Sequence, residues 1–194
     1  MGIVHPFGLL LRITRSHAIA RRYFVVNGFD GALTMLGIIT GFYVSGGATP
    51  AVTISACLGA AIALGMSGLS SAYISEAAER RQELKELESA MVTDLTGSAH
   101  AQAARFIPAF IAMVNGLAPL VISLAIITPL WLATLMEAFP FAPLQTAIAV
   151  ALVIIFLLGV FLGRISGTFW LLAGLRTLLI ALLTCGIIIM LTPK

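Results

Sequence analysis

The sequence predicts an all-α integral membrane protein with five transmembrane helices. Of its 194 residues, 60% are hydrophobic and only 10% are charged, whereas a soluble domain carries about 25% charged residues. Five apolar stretches each approach the roughly 20 residues that a helix needs to cross a bilayer. The connections between them leave no room for a soluble domain, so one five-span domain over 23–194 is expected. Its predicted spans are about 28–47, 51–75, 106–133, 143–163 and 168–191.

Residues 1–22 precede the first span and are predicted to form an amphipathic helix on the membrane surface. They combine apolar side chains with Arg12, Arg15, Arg21 and Arg22, a mixture typical of helices that lie in the membrane interface. A frayed leader is the alternative interpretation. We do not expect a secretory signal peptide, because the segment contains no long apolar run.

The positions of the basic residues predict the topology. They cluster before the first span and again between spans two and three, where Arg80, Arg81, Lys85 and Arg105 occur, while the connection between spans one and two is uncharged. The positive-inside rule therefore places the N-terminus and the 76–105 segment in the cytoplasm and the C-terminus on the far side. The basic residues are thus explained by topology, and no nucleic acid is expected as a partner. A prokaryotic plasma membrane is the expected location.

Span one contains the most informative residue, Asp30, a carboxylate in an otherwise apolar stretch. A charged side chain at membrane depth costs about 2.5 kcal/mol or more, and such residues usually face protein or water and handle ions or protons. By helical spacing Asp30 shares a narrow face with Thr34, Gly37 and Gly41, which favours close helix packing. The alternative for Asp30 is a capping or structural hydrogen-bond role.

Span two has a second narrow face, which includes Met66 and Ser70. A lone methionine usually packs against its neighbours, but its thioether is also a soft ligand that accepts Fe(II). Residues 75–91 contain no Gly or Pro, so one helix is predicted from about 51 to 91, with a cytoplasmic extension at about 76–91. Four carboxylates share a face of this extension, either as a cation-collecting stripe or as an ordinary solvated face. They are Glu76, Glu79, Glu83 and Glu86.

The last three spans contain candidate structural or gating residues. Pro119 in span three removes a backbone hydrogen bond and predicts a kink. Span four is almost entirely aliphatic and is predicted to face lipid. Arg164 lies in the short turn before span five. Arg176, about two turns into span five, is expected to snorkel to the membrane surface or to pair inside the protein.

The sequence has no pattern that indicates an enzyme or a bound cofactor. It lacks a Gly-rich phosphate loop, a CxxC motif and a nucleophile–base pattern. The three histidines are not at metal-ligand spacing. Cys57 and Cys185 both lie in apolar stretches and are expected to be packing residues.

Several short motifs follow one another along about 22–191. They are Asp30-Gly31, Thr34 and Leu36-Gly37 in span one; 63–66, Ser75-Glu76 and Glu79-Arg80 in span two; Pro119 in span three; and 163–167, Trp170-Leu171 and 174–176 around span five. With these motifs and this topology, the chain resembles the vacuolar iron transporter family, a group of five-span divalent-metal transporters.

The resemblance implies a homodimer that exports Fe²⁺ or Mn²⁺ from the cytosol in exchange for protons. Asp30 and Met66 of both copies would line a pathway between the two first spans, and Asp30 would alternate between proton and metal. Thr34 and Ser70 share the faces of these two residues. The metal is then a transported substrate, and no cofactor is implied. The alternatives are an exporter of a different cation and a non-transporting membrane scaffold or assembly protein.

The chain would be a compact, divergent member of that family. Many members carry a metal-collecting cytoplasmic domain between spans two and three, where this chain has only 76–105. Members often have Gly-Glu-Tyr in span two, and here the corresponding segment is 68–71, Gly-Leu-Ser-Ser. Glu76 is the candidate replacement for the missing glutamate.

Overall fold

Five long helices make up the fold in a computed structural model that describes residues 16–46, 48–136 and 140–192. Each helix is long and apolar enough to cross a membrane. The predicted class, an all-α membrane protein with five such helices, is therefore confirmed. The helices are α1 (Ser16–Ser45), α2 (Pro50–Met91), α3 (Ala99–Leu135), α4 (Pro143–Ser166) and α5 (Trp170–Leu191).

The first helix begins earlier than the first predicted span. Residues 16–22, which we expected in a separate surface helix, form the first turns of α1. No Gly or Pro interrupts the chain between 16 and 27, so nothing in the local sequence separates the two segments. The rest of the expected surface helix, residues 1–15, lies outside the described residues.

The second helix is much longer than a membrane crossing requires. It has 42 residues and is about 63 Å long, because an α-helix rises about 1.5 Å per residue. Its start is fixed by Thr49, whose hydroxyl accepts a hydrogen bond from the Val52 amide at 3.4 Å, and by Pro50 in the first turn. Since a hydrocarbon core is about 30 Å thick, roughly half of α2 extends beyond it.

The third helix occupies the centre of the bundle and packs against α1, α2 and α4. It remains one helix through Pro108, Pro119 and Pro129. The main hydrophobic core forms where the buried side chains of α3 meet those of α1 and α4. Its largest members are Met35, Leu36, Ile39, Ile126, Ile127, Leu130 and Ile155.

The fourth and fifth helices form a pair joined by a tight turn. Gly167 ends α4 with a left-handed φ of 70°, a conformation that favours glycine. The prediction that span four mainly faces lipid is wrong for one side of α4, where a stripe of residues at four-residue spacing is buried, including Ala147, Ala151 and Ile155. In α5 only Gly174 and Ala181 are buried, so α5 is the more peripheral helix.

Candidate functional site

Asp30 is exposed on α1, directly beside a close approach between the backbones of α1 and α3. The neighbouring Gly31 is buried, and a Cβ atom at that position would lie 2.8 Å from Pro119 Cα and 2.9 Å from its carbonyl oxygen. This contact fixes the rotation of α1 against α3. Since successive helical residues are about 100° apart, the contact at Gly31 turns Asp30 away from α3.

The described residues cover the narrow face of α1 only in part. Thr34 and Gly37 are partly buried, and a Cβ atom on Gly37 would make only an ordinary contact, at 3.6 Å from the Ile188 side chain. A Cβ atom on Gly41 would meet nothing within 4 Å. Within the described ranges, Asp30 itself has no hydrogen-bond or ion-pair partner. The face that begins at Asp30 is therefore available to another surface.

The corresponding face of α2 is also open. Met66 is 60% exposed, and Ser70 is exposed with its hydroxyl donating to the Met66 carbonyl oxygen at 2.8 Å. Because this hydrogen bond stays within α2, it does not tie the Ser70 side chain to another helix. Gly59 on the same face has open space where its Cβ would be.

The described His, Cys, Asp and Glu residues do not form a metal site within one chain. In the part of the chain that the structure describes, no three residues among His, Cys, Asp and Glu lie close enough to hold a metal ion. Asp30 is therefore an isolated carboxylate among the described residues. Among the described residues, further ligands for an ion at Asp30 are a methionine or a backbone carbonyl, and water or another copy can add more.

The four carboxylates of the α2 extension have different surroundings. Glu76 is only 3% exposed and lies 3.7 Å from the Arg80 guanidinium, which is itself 7% exposed. Arg80 also donates to Glu83 at 2.7 Å. Glu86 accepts a hydrogen bond from Gln82 at 2.9 Å. Arg80 therefore neutralises part of the predicted cation-collecting stripe, which leaves the exposed Glu79 as its least compensated member.

With Pro50 placed at one edge of the hydrocarbon core, Glu76 lies beyond the opposite edge, where it is buried by protein. It is about 39 Å along α2 from Pro50 at about 1.5 Å per residue, whereas the hydrocarbon core is about 30 Å thick. Burial raises the pKa of the Glu76 carboxyl; the Arg80 guanidinium opposes this rise, and the Glu79 and Glu83 carboxylates add to it. One Glu76 carboxylate oxygen and the Arg80 Nε have no hydrogen-bond partner among the described residues.

A buried amide network that the sequence reasoning missed connects three helices. The Asn115 side chain on α3 donates from Nδ2 to the Gly68 carbonyl oxygen of α2 at 2.6 Å. Its Oδ1 accepts a hydrogen bond from Asn27 Nδ2 of α1, and Asn27 also donates to the Tyr23 carbonyl oxygen at 3.1 Å. The sequence did contain a signal for this network, since Asn27 and Asn115 lie in or beside apolar stretches and an amide at membrane depth needs a hydrogen-bond partner. Spacing along the chain could not show that they pair.

The two arginines near the α4–α5 turn have separate roles. The Arg164 guanidinium lies 5.7 Å from the centre of the Trp170 ring, a cation–π geometry. Its place in the last turn of α4 also suits the negative end of that helix. Arg176 is exposed and makes no ion pair with any described residue, which fits snorkelling better than an internal pair.

These features define a multi-pass α-helical membrane protein in which Asp30 has no partner among the described residues. No family model matches the sequence, and no solved structure matches it. Over 158 residues the chain is 30% identical to the uncharacterized protein MJ0645 of Methanocaldococcus jannaschii, an alignment that covers 80% of this chain and 79% of the archaeal protein. The chain belongs to the same family as this archaeal protein. Because that relative is uncharacterized, membership by itself indicates no activity.

Proposed function

We propose that this protein is a homodimeric, proton-coupled exporter of a divalent transition metal, Fe²⁺ or Mn²⁺. The observation that carries the proposal is Asp30, an exposed carboxylate on an apolar helix with no partner among the described residues. A carboxylate that faced only lipid would be costly. A second protein surface or a water-filled path beside Asp30 removes that cost. The resemblance to the vacuolar iron transporters supports the choice of metals.

A second copy of the chain is the proposed partner of the open faces. The faces of α1 and α2 consist of small residues with Asp30 and Met66 among them, and such surfaces allow close helix packing in membranes. Pairing two copies through α1 brings together two Asp30 carboxylates. Thr34, Met66 and Ser70 from both copies then line the pathway and add oxygen and thioether ligands.

The coupling to protons follows from the charges at such a site. Two carboxylates close together in a membrane repel each other, so an empty site favours protonation of at least one of them. A divalent cation stabilises both as carboxylates and displaces the protons. One pair of Asp30 residues therefore exchanges protons for metal without a further titrating group.

The direction of transport rests on the proposed topology. With the α2 extension in the cytoplasm, the exposed Glu79 and the Glu86 side chain attract cations near the cytosolic entrance. Protons that enter from the far side release the metal there. A prokaryotic plasma membrane, with its inward proton gradient, suits this exchange.

Transport into proteoliposomes tests the proposal. We expect wild-type protein to move Mn²⁺ or Fe²⁺ in proportion to an imposed pH gradient. Asp30→Asn should lower the initial rate at least tenfold, because it removes a ligand charge and the proton site. Asp94→Asn is the matched control: it makes the same chemical change in the exposed loop between α2 and α3 and should transport normally.

The outcomes separate the proposal from its alternatives. Transport by Asp30→Asn at the wild-type rate would contradict the mechanism. Transport of another cation with the same dependence on Asp30 would identify an exporter of a different cation. Absence of transport of any cation by folded wild-type protein would favour the scaffold or assembly role.

A further inference from the structure

A cavity of about 330 Å³ lies between the extension of α2 and the start of α3. Tyr73 and Arg81 line it from α2, Thr96 from the connecting loop, and Arg105 from α3. Its volume falls within the range of about 300–1,000 Å³ that is usual for small-molecule sites. The cavity does not include Asp30 or the carboxylates of the α2 extension, so it is separate from the proposed metal pathway.

The charge of the cavity is positive and uncompensated. Arg81 and Arg105 are both exposed, and neither has an ion-pair or hydrogen-bond partner among the described residues. No Asp or Glu contributes to the lining. By contrast, Arg80, one residue away, is held by two carboxylates. Both guanidinium groups are therefore free to bind an anion that enters the cavity.

With Pro50 placed at one edge of the hydrocarbon core, the cavity lies near the opposite edge. Tyr73 is about 35 Å along α2 from Pro50 at about 1.5 Å per residue, slightly more than the roughly 30 Å of a hydrocarbon core. Arg105 immediately precedes the long apolar stretch of α3. This height is that of lipid phosphate groups, and tyrosine is enriched there.

We propose that the cavity binds a phosphate group, carried by an anionic phospholipid or present as free phosphate. Guanidinium groups bind phosphate oxygens with paired hydrogen bonds. Two of them in one cavity match a single phosphate, and the Tyr73 and Thr96 hydroxyls provide further donors. The remaining lining is mostly apolar, with Ala104 and Pro108 among it, which suits the glycerol part of a lipid.

Binding to purified full-length protein tests the proposal with three probes. Native mass spectrometry measures the binding of dioctanoyl phosphatidylglycerol and of dioctanoylglycerol, which lacks the phosphate. Thermal stability in detergent measures the binding of inorganic phosphate. Arg81→Gln and Arg105→Gln are the test variants. Lys85→Gln, one turn further along α2, removes the same charge from an exposed residue outside the cavity lining.

We expect phosphatidylglycerol to bind and dioctanoylglycerol not to bind. Each arginine substitution should weaken binding about fivefold, the effect of one basic residue near an anionic headgroup, and Lys85→Gln should leave it unchanged. If inorganic phosphate binds with the same dependence on both arginines and phosphatidylglycerol binds no more tightly, the ligand is free phosphate. If neither ligand depends on Arg81 and Arg105, or if Lys85→Gln has the same effect, the proposal is overturned.

Discussion

Gly31 of α1 approaches Pro119 of α3 so closely that a Cβ atom at position 31 would lie 2.8 Å from the proline Cα. This contact joins the helix that carries Asp30 to the centre of the bundle. It also gives Pro119 a packing role, in addition to its expected effect on helix geometry. The position of Asp30 on the surface is thus set by its neighbour in the sequence.

Gly31→Ala should destabilise the protein by about 1–3 kcal/mol, the usual cost of forcing an extra group into a packed contact. The added methyl group meets backbone, which cannot rotate away as a flexible side chain could. Thermal unfolding in detergent measures the effect. Gly186→Ala in α5 is the control, because a Cβ atom there meets nothing within 4 Å. If Gly31→Ala were as stable as Gly186→Ala, α1 and α3 could move apart at no cost in stability, and the predicted packing role of Gly31 would be wrong.

Asn115→Ala should cost about 1–2 kcal/mol, since interhelical hydrogen bonds in membranes contribute about that much. The substitution removes the bond to the Gly68 carbonyl and leaves the Asn27 amide without its acceptor on α3. A double-mutant cycle with Asn27→Ala measures the coupling between the two side chains. A coupling energy near zero would contradict the network.

Arg80→Gln should destabilise the α2 extension by about 3 kcal/mol, because it leaves the buried Glu76 carboxylate without its charge partner. Lys85→Gln removes a positive charge from an exposed position of the same helix and should cost less than about 0.5 kcal/mol. Adding Glu76→Gln to Arg80→Gln should recover part of the loss. Unfolding curves of the wild type, the two single variants and the double variant measure these differences. Similar curves for Arg80→Gln and Lys85→Gln would show that the buried ion pair does not stabilise the extension.

Gly41→Cys should form a disulfide between two copies if α1 lies at the dimer axis. The substitution places the thiol on the open face of α1. Leu179→Cys on exposed α5 is the control and should remain monomeric on oxidation. Both variants should also carry Cys57→Ala and Cys185→Ala, which remove the two native thiols. Non-reducing gel electrophoresis of oxidised membranes gives the result, and dimer formation by Leu179→Cys alone would place the interface elsewhere.

The helices were predictable because their signals are local. The apolar stretches gave the five spans, and the run without Gly or Pro over 75–91 gave the long extension of α2, which the structure ends at Met91. The side of α4 that packs inward was not recognised. Its buried residues, such as Ala147 and Ala151, have the same aliphatic character as their exposed neighbours. Only their four-residue spacing distinguishes them in the sequence.

The candidate site was predictable only in part, because its remaining features depend on contacts between distant segments. The chemistry of Asp30 stands out in the sequence, and the i,i+4 pairing of Glu76 with Arg80 follows from helical spacing. The burial of that pair does not follow from spacing, because it depends on how the helices pack. The contact of Asn27 with Asn115 and the shared cavity of Arg81 and Arg105 likewise depend on the tertiary fold.

The most direct test of the central claim is anomalous scattering from crystals of the protein grown with Mn²⁺. We predict one anomalous peak between the Asp30 carboxylates of two copies, with Met66 nearby, and its loss in crystals of Asp30→Asn. A dimer in which the two Asp30 side chains are far apart, or a manganese peak at a site that does not include Asp30, would contradict the proposed metal pathway.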